Sequence, residues 1–134
     1  HARIPGSDLV RDGCSSVPRG WREVINRFGG EIPETYGVPV EEIQEGIRHG
    51  VRKVNIDTDL RLASTGATRR FLAENPAEFD PRKFLKETVT AMRAIVVARY
   101  EAFGTAGQAS KITPLSFDAM SDRYRAGSLD PVLA

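Results

Sequence analysis

The spacing of two short strand-like segments limits the fold of this chain more than any other feature. Residues 8–11 (Asp-Leu-Val-Arg) lie between small, turn-forming residues, and residues 51–56 alternate apolar and polar side chains as a half-buried strand does. About 40 residues with helical periodicity separate the two segments. A hairpin cannot join strands that point the same way, so this crossover predicts a parallel pair and an α/β chain.

Stripes of apolar side chains at three- and four-residue steps predict the helices. Glycine supplies a stop after three of them, at Gly29-Gly30, Gly50 and Gly104. The residues that follow the second strand, 57–59, have side chains that cap helix N-termini. The predicted helices cover residues 21–28, 40–49, 57–75, 81–103 and 116–125.

Two strands do not make a stable sheet by themselves, because three or more strands or covering helices are usually needed. A complete (β/α)8 barrel takes about 250 residues, so 134 residues leave room only for its last quarter plus extra helices. The chain also begins with His1 rather than Met. We therefore expect a fragment or a trimmed chain in which the rest of the sheet is missing.

Charge and composition exclude several classes of partner. Nineteen Lys and Arg residues against eighteen Asp and Glu leave a formal net charge of +1, too small to select nucleic acid or a membrane surface by overall charge. The longest purely apolar stretch, residues 94–98, is far shorter than the roughly 20 residues that span a bilayer. The single cysteine, Cys14, cannot form an internal disulfide. We expect a cytoplasmic protein with no nucleic-acid or membrane partner.

Small and polar residues follow both predicted strands. The segment Gly13-Cys14-Ser15-Ser16 offers backbone N–H groups and two hydroxyls without bulky side chains, as a phosphate oxygen needs at close range. After the second strand, Asn55 can orient a hydroxyl or carbonyl, and Thr58 lies at a helix N-terminus. Ligands of α/β folds gather at the carboxyl ends of strands, so the agreement of the two loops predicts a ligand site there.

Simpler interpretations stay open for both segments. Gly13-Cys14-Ser15-Ser16 alone is also typical of an ordinary small-residue turn, and residues 55–59 are also typical of a capping segment. Asp57 only accepts hydrogen bonds when ionised, so we expect it to cap the helix or to receive a substrate hydroxyl rather than to contact phosphate.

Five ordered stretches of the chain resemble a known family. They are residues 36–47 (Tyr-Gly-Val-Pro-Val-Glu-Glu-Ile-Gln-Glu-Gly-Ile), 50–61 (Gly-Val-Arg-Lys-Val-Asn-Ile-Asp-Thr-Asp-Leu-Arg), 71–76, 79–85 and 103–112. These stretches closely resemble class II fructose-1,6-bisphosphate aldolases, in particular the Calvin-cycle type. The similarity covers nearly the whole chain and corresponds to the family's C-terminal part.

The resemblance implies a (β/α)8 TIM barrel enzyme of glycolysis or the Calvin cycle, a homodimer or homotetramer when full length. Such an enzyme reversibly cleaves fructose 1,6-bisphosphate, a sugar bisphosphate, into two triose phosphates, dihydroxyacetone phosphate and glyceraldehyde 3-phosphate. Zinc (Zn2+) acts there as a Lewis acid that stabilises the enediolate. Residues 1–134 would then be the C-terminal fragment of one barrel domain, with the last two strands and a C-terminal helical extension.

The resemblance also assigns substrate-binding residues. Arg82 is similar to the arginine that reaches from one subunit to the distal phosphate of the other, a task that suits its planar, bidentate fork. The triose phosphate would be held by the loop after the first strand and the segment after the second, namely by Gly13, Ser15, Asn55, Asp57 and Thr58.

The chain departs from the family's pattern at Asp12, where the resemblance implies a zinc-ligating histidine. A carboxylate can ligate zinc, but its negative charge weakens the Lewis acid, and Arg11 could pair with it. We therefore expect impaired or lost zinc binding at this position. His1, His49 and Cys14 are not at metal-ligand spacing, so this chain alone cannot build a zinc site.

The general acid/base and the other zinc ligands lie upstream in the family, so this chain is expected to contain no catalytic residue. As an isolated polypeptide it should be inactive. Two alternatives remain: a non-catalytic remnant or assembly module of an aldolase, and a tagatose-bisphosphate aldolase, which uses the same scaffold and zinc chemistry.

Overall fold

The computed structural model describes residues 8–127, which form two strands and five α-helices. The predicted helices are all present, with ends that differ by a few residues, and a short 3₁₀ turn (Ala109–Lys111) was not predicted. The elements in chain order are β1 (Leu9–Arg11), α1 (Arg19–Arg27), α2 (Val40–Arg48), β2 (Val51–Val54), α3 (Thr58–Glu74), α4 (Pro81–Ala102) and α5 (Phe117–Arg125).

The strands β1 and β2 pair in parallel, as the crossover predicts, and this confirms the α/β class. Leu9 lies beside Val51 and Arg11 lies beside Val54, with an irregularity in the register after Leu9. The second strand ends at Val54 rather than at residue 56. Asn55 still donates its backbone N–H to the Arg11 carbonyl at 3.1 Å, so the chain leaves the sheet just beyond the last pair.

The contact between α3 and α4 is built from small side chains. Ala63, Ala67 and Ala91 are buried together, and Trp21 and Ile95 pack against them. Alanine at these positions lets the two helix backbones approach closely.

The contacts between α3 and α4 show that the helices run antiparallel. In the middle of the pair, the hydroxyls of Thr68 and Thr88 lie 2.8 Å apart. Near the end where α3 begins, Asp59 meets Arg99, which lies near the end of α4. The start of α3 and the end of α4 therefore lie at the same end of the molecule as the loops that follow β1 and β2.

The chain leaves a large surface uncovered. Large apolar side chains are exposed on several elements, among them Val10 of β1 and Val89 of α4. An open groove of about 460 Å³ runs beside β2, lined by apolar side chains that include Val54, Leu60 and Ile95. Among residues 8–127, no helix is both long and apolar enough to cross a membrane.

Candidate functional site

The loop after β1 and the segment after β2 meet at the carboxyl ends of the two strands. Their main link is the hydroxyl of Ser15, which accepts the backbone N–H of Asp57 at 3.3 Å and that of Thr58 at 3.0 Å. These N–H groups belong to the first turn of α3, where a helix has no internal acceptors. A side chain from one loop therefore caps the helix that begins in the other.

Asp57 does not play the capping role that the sequence predicts. It occupies the N-cap position, but its side chain accepts no hydrogen bond from the helix backbone. Its carboxylate instead forms an ion pair with Arg61, at 2.6 Å between Oδ2 and Nη2. The prediction that Asp57 caps the helix is wrong, because the Ser15 hydroxyl accepts these N–H groups instead. The alternative, that Asp57 receives a substrate hydroxyl, stays a prediction.

Gly13 forms the turn that starts the loop after β1. Its φ of +68° lies in the left-handed region, which side chains disfavour. No heavy atom lies within 4 Å of the place where a Cβ would be. The backbone on this side of the loop is therefore open to a ligand.

Asp12 and Asn55 are joined by a hydrogen bond across the two loops. The Asn55 amide Nδ2 donates to Asp12 Oδ1, and Lys53 Nζ donates to Asn55 Oδ1. Over residues 8–127, Asp12 forms no ion pair with Arg11, so the pairing that the sequence suggested is wrong. The two contacts fix the orientation of the Asn55 amide.

The residues present do not fit a zinc ion. Within the described part of the chain, no three His, Cys, Asp or Glu side chains lie close enough together to hold a metal. Asp12 is engaged with Asn55. His49 lies 2.7 Å from Glu45 at the end of α2, and Cys14 is buried. A zinc site therefore needs ligands from outside residues 8–127, and ligation by Asp12 stays a prediction.

Arg82 is the one predicted site residue that the structure does not bring to the strand ends. It lies in the first turn of α4, which runs antiparallel to α3, so ~25 Å of helix separates it from Arg99. Its side chain is 89% exposed, and its Nη2 pairs with Asp80 Oδ2 at 2.6 Å. The Arg82 guanidinium holds the pKa of Asp80 below its ordinary value, and Asp80 raises the pKa of Arg82.

A group of three side chains around one buried carboxylate was missed in the sequence. Asp59 is 0% exposed and accepts from the Ser16 hydroxyl at 3.0 Å and from the backbone N–H of Val17 at 2.8 Å. Arg99 Nη2 donates to Asp59 at 3.1 Å and to the Ser16 hydroxyl at 2.7 Å. The signal was available: Asp59 precedes Leu62 and Ala63 on the buried face of α3, and both are apolar.

A family model described as fructose-bisphosphate aldolase class-II matches residues 10–108. The chain belongs to the class-II fructose-bisphosphate aldolase family. This confirms the resemblance that the five sequence stretches carry. The matched range includes β1 from its second residue onward, all of β2, the loops that follow the strands, and the helices α1 to α4.

Similar proteins bear the same name. A fructose-bisphosphate aldolase of Pseudomonas aeruginosa is 70% identical over 131 residues, 98% of this chain and 37% of that protein. Fructose-bisphosphate aldolase 1 of Cereibacter sphaeroides is 55% identical over 134 residues, 100% of this chain and 37% of that protein. The fructose-bisphosphate aldolase of a Nostoc species is 56% identical over 98% of this chain. The chain thus spans little more than a third of the length of these aldolases.

Proposed function

We propose that residues 1–134 are the C-terminal part of a class-II fructose-bisphosphate aldolase with a (β/α)8 barrel. In this proposal β1 and β2 are the last two strands of the barrel, and the later helices are its C-terminal extension. The parallel pairing, the intervening helices and the share of the aldolases that the chain covers support it. The complete enzyme would cleave fructose 1,6-bisphosphate reversibly into dihydroxyacetone phosphate and glyceraldehyde 3-phosphate.

The part of this chain in that reaction is to bind a phosphate group of the substrate. The observation that carries this proposal is the contact of Ser15 with the first turn of α3. Its hydroxyl oxygen accepts two backbone N–H groups, so its own proton is left to donate outward. Donors that polarise one another bind an anion more strongly. The helix N-terminus also carries partial positive charge, and the open side of Gly13 gives a phosphate oxygen access.

Residues of the second loop complete the proposed phosphate surface. Thr58 is exposed, so its hydroxyl is available to a phosphate oxygen. The Asn55 amide is held by Asp12 and Lys53, and Lys53 adds a positive charge beside it. Asp57, with its carboxylate exposed, suits a substrate hydroxyl.

Arg82 would bind the distal phosphate of a substrate held by another subunit of a homodimer or homotetramer. Its distance from the strand ends of its own chain and its exposed position support this role. A phosphate dianion competes well with a single exposed carboxylate for a guanidinium. In this proposal Arg82 exchanges Asp80 for the substrate when the subunits assemble.

Finer expectations about the metal, the location and the pathway remain predictions. Zinc, which class II resemblance implies, would need ligands from the rest of the enzyme, and the charge of Asp12 would weaken it. A cytoplasmic location and a place in glycolysis or the Calvin cycle also stay predictions.

The proposal separates binding from catalysis, so two measurements on the 134-residue chain test it. Dihydroxyacetone phosphate should bind, and Ser15→Ala should weaken that binding, with Ser110→Ala on the exposed 3₁₀ turn as the matched control. A coupled assay with fructose bisphosphate and zinc, compared with an EDTA-treated sample, should show no triose phosphate release. Failure to bind, or zinc-dependent cleavage, would contradict it.

A second candidate is a non-catalytic remnant of an aldolase that serves in assembly. The engagement of Asp12 with Asn55, at the position of an expected zinc ligand, favours it. Phosphate binding without zinc uptake after assembly with the rest of the enzyme would support the remnant. Tagatose bisphosphate stays an alternative substrate, and the cleavage rates of the two sugars by the assembled enzyme decide between them.

A further inference from the structure

We propose that Ser16, Asp59 and Arg99 form a clamp whose task is to position the phosphate-binding loop, so that Asp59 and Arg99 are positioning residues for substrate phosphate. We define the clamp as these three side chains together. The inference rests on the proposed function, because a loop that binds no phosphate needs no such positioning.

The clamp ties three separate parts of the chain to one carboxylate. Asp59 begins α3, Arg99 lies near the end of α4, and Ser16 and Val17 belong to the loop after β1. The carboxylate of Asp59 accepts hydrogen bonds from the Ser16 hydroxyl, the Val17 N–H and Arg99 Nη2 at 2.8–3.1 Å. Because Asp59 is completely buried and the Arg99 side chain is only 16% exposed, water has little access to these contacts, which holds their geometry.

Ser16, which belongs to the clamp, is next to Ser15, the residue proposed to bind the phosphate. Ser16 follows Ser15, whose hydroxyl lies on the N-terminus of α3. A third contact closes the other side: the Ser15 carbonyl accepts the N–H of Val38 at 3.1 Å. Gly37 packs so closely there that an added Cβ would lie 2.2 Å from the Ser15 oxygen. In this proposal a shift of Ser16 moves the hydroxyl of its neighbour, Ser15.

The clamp and its neighbour Val17 also contain two energetically unfavourable features that stability does not explain. Val17, a β-branched residue, has a φ of +49°, in the left-handed region. Arg99 Nε is buried and has no hydrogen-bond partner in the part of the chain that the structure describes. Buried ion pairs are often no more stable than apolar residues of the same size. Both features lie beside the candidate ligand loop. They indicate that the clamp serves to hold that loop in position.

The test measures phosphate binding and stability on the same variants. Inorganic phosphate is titrated into the 134-residue chain, and the amide signals of Gly13, Ser15 and Thr58 are followed by NMR to give a Kd. Ser16→Ala and Arg99→Met are compared with Thr88→Val. The control removes a buried hydroxyl contact between α3 and α4 that does not touch the loop. Urea unfolding gives the stability of each variant.

We expect Ser16→Ala and Arg99→Met to weaken phosphate binding about tenfold, and Thr88→Val to keep the Kd of the original chain although it unfolds more easily. In Ser16→Ala the amide signals of Ser15 and Thr58 should move even without phosphate. Ser16→Ala keeps the Arg99–Asp59 ion pair, so it decides the matter if Arg99→Met does not fold.

Two results would overturn the inference, and they are distinguishable. If the original chain binds no phosphate, the proposed function of the loop fails and the clamp has nothing to position. If the original chain binds phosphate and the clamp variants bind it as Thr88→Val does, the proposed function stands and only the positioning role is wrong.

Discussion

Each end of the α3–α4 pair carries an Asp–Arg ion pair, but the two ion pairs have opposite surroundings. At one end, the clamp holds a completely buried Asp59 between Arg99 and the loop after β1. At the other end, Asp80 pairs with an Arg82 that is 89% exposed. The Asp59 carboxylate has no access to water and keeps its partners, whereas the exposed Arg82 can exchange Asp80 for another anion. Burial therefore suits the first pair to fixing a shape and the second to capturing a ligand.

Loss of the buried ion pair should therefore lower the free energy of unfolding more than loss of the exposed one. Exposed ion pairs contribute little to stability because water and salt screen them. Removing one partner of a buried pair leaves an uncompensated charge in the interior, which is far more costly. Four changes, taken from the largest expected effect to the smallest, test this contrast.

Asp59→Ala should reduce the free energy of unfolding by about 3–5 kcal/mol, because Arg99, which is only 16% exposed, would lose its partner. Urea unfolding followed by circular dichroism measures the change. Asp57→Ala is the matched control: it removes an exposed carboxylate from the same helix start and should cost about 0–1 kcal/mol. Equal losses for the two variants would mean that Asp59 has no special energetic role.

Gly66→Ala should destabilise the contact of α3 with α1 by about 1–3 kcal/mol, because an added Cβ would lie 2.7 Å from Cε3 of Trp21. Alanine would otherwise be the better helix residue by about 1 kcal/mol. Gly20→Ala provides the comparison, since no atom lies within 4 Å of its Cβ position. Thermal unfolding should show a lower Tm for the first variant only, and a gain for Gly66→Ala would contradict the packing.

Thr88→Val should cost about 1 kcal/mol through loss of its contact with Thr68, which lies between the two ends. A double-mutant cycle with Thr68→Val, measured by urea unfolding, separates this contact from other effects of each change. If the cycle yields no coupling energy, the two hydroxyls do not interact in solution.

The exposed end of the helix pair should show the smallest effect, which is a dependence of the free energy of unfolding on pH. Arg82 lowers the pKa of Asp80, and Lys83 lowers that of Glu78, from ordinary values of 3.8 and 4.5. The unfolded chain therefore binds protons first, so the stability from these groups is present above those values and is lost as the pH falls through the lowered pKa of each group.

Asp80→Asn should make the urea midpoint less dependent on pH below about 5. High salt should have the same effect on the original chain, because it screens exposed charges. A variant whose pH dependence matches that of the original chain would show that Asp80 does not contribute to it.

Much of the fold was predictable because it follows from periodicity and topology. The alternation in residues 51–56 and the helical crossover were enough to predict the parallel pair, and its direction brought the two loops together. The prediction for Asp57 was wrong because the cap comes from Ser15, a residue 42 positions away in the chain. Local sequence rules do not contain a contact of that kind.

The clamp was missed for a different reason. Asp59 looked like one more polar residue at a helix start, and Arg99 was passed over within the apolar stripe of α4. Both charges nevertheless lie on faces that are otherwise apolar, with Arg99 four residues after Ile95. Two opposite charges on two buried faces are a signal that they pair, and only the tertiary structure supplies their third partner, Ser16.

The sheet described above has consequences for handling the chain in solution. In the described residues, β1 and β2 pair only with each other, so each strand presents an outer edge whose N–H and C=O groups have no strand partner. Such edges are templates for the strands of other molecules. We expect the isolated chain to self-associate as its concentration rises, through strand addition at either edge. Binding experiments are therefore best performed at low protein concentration, with light scattering as a check.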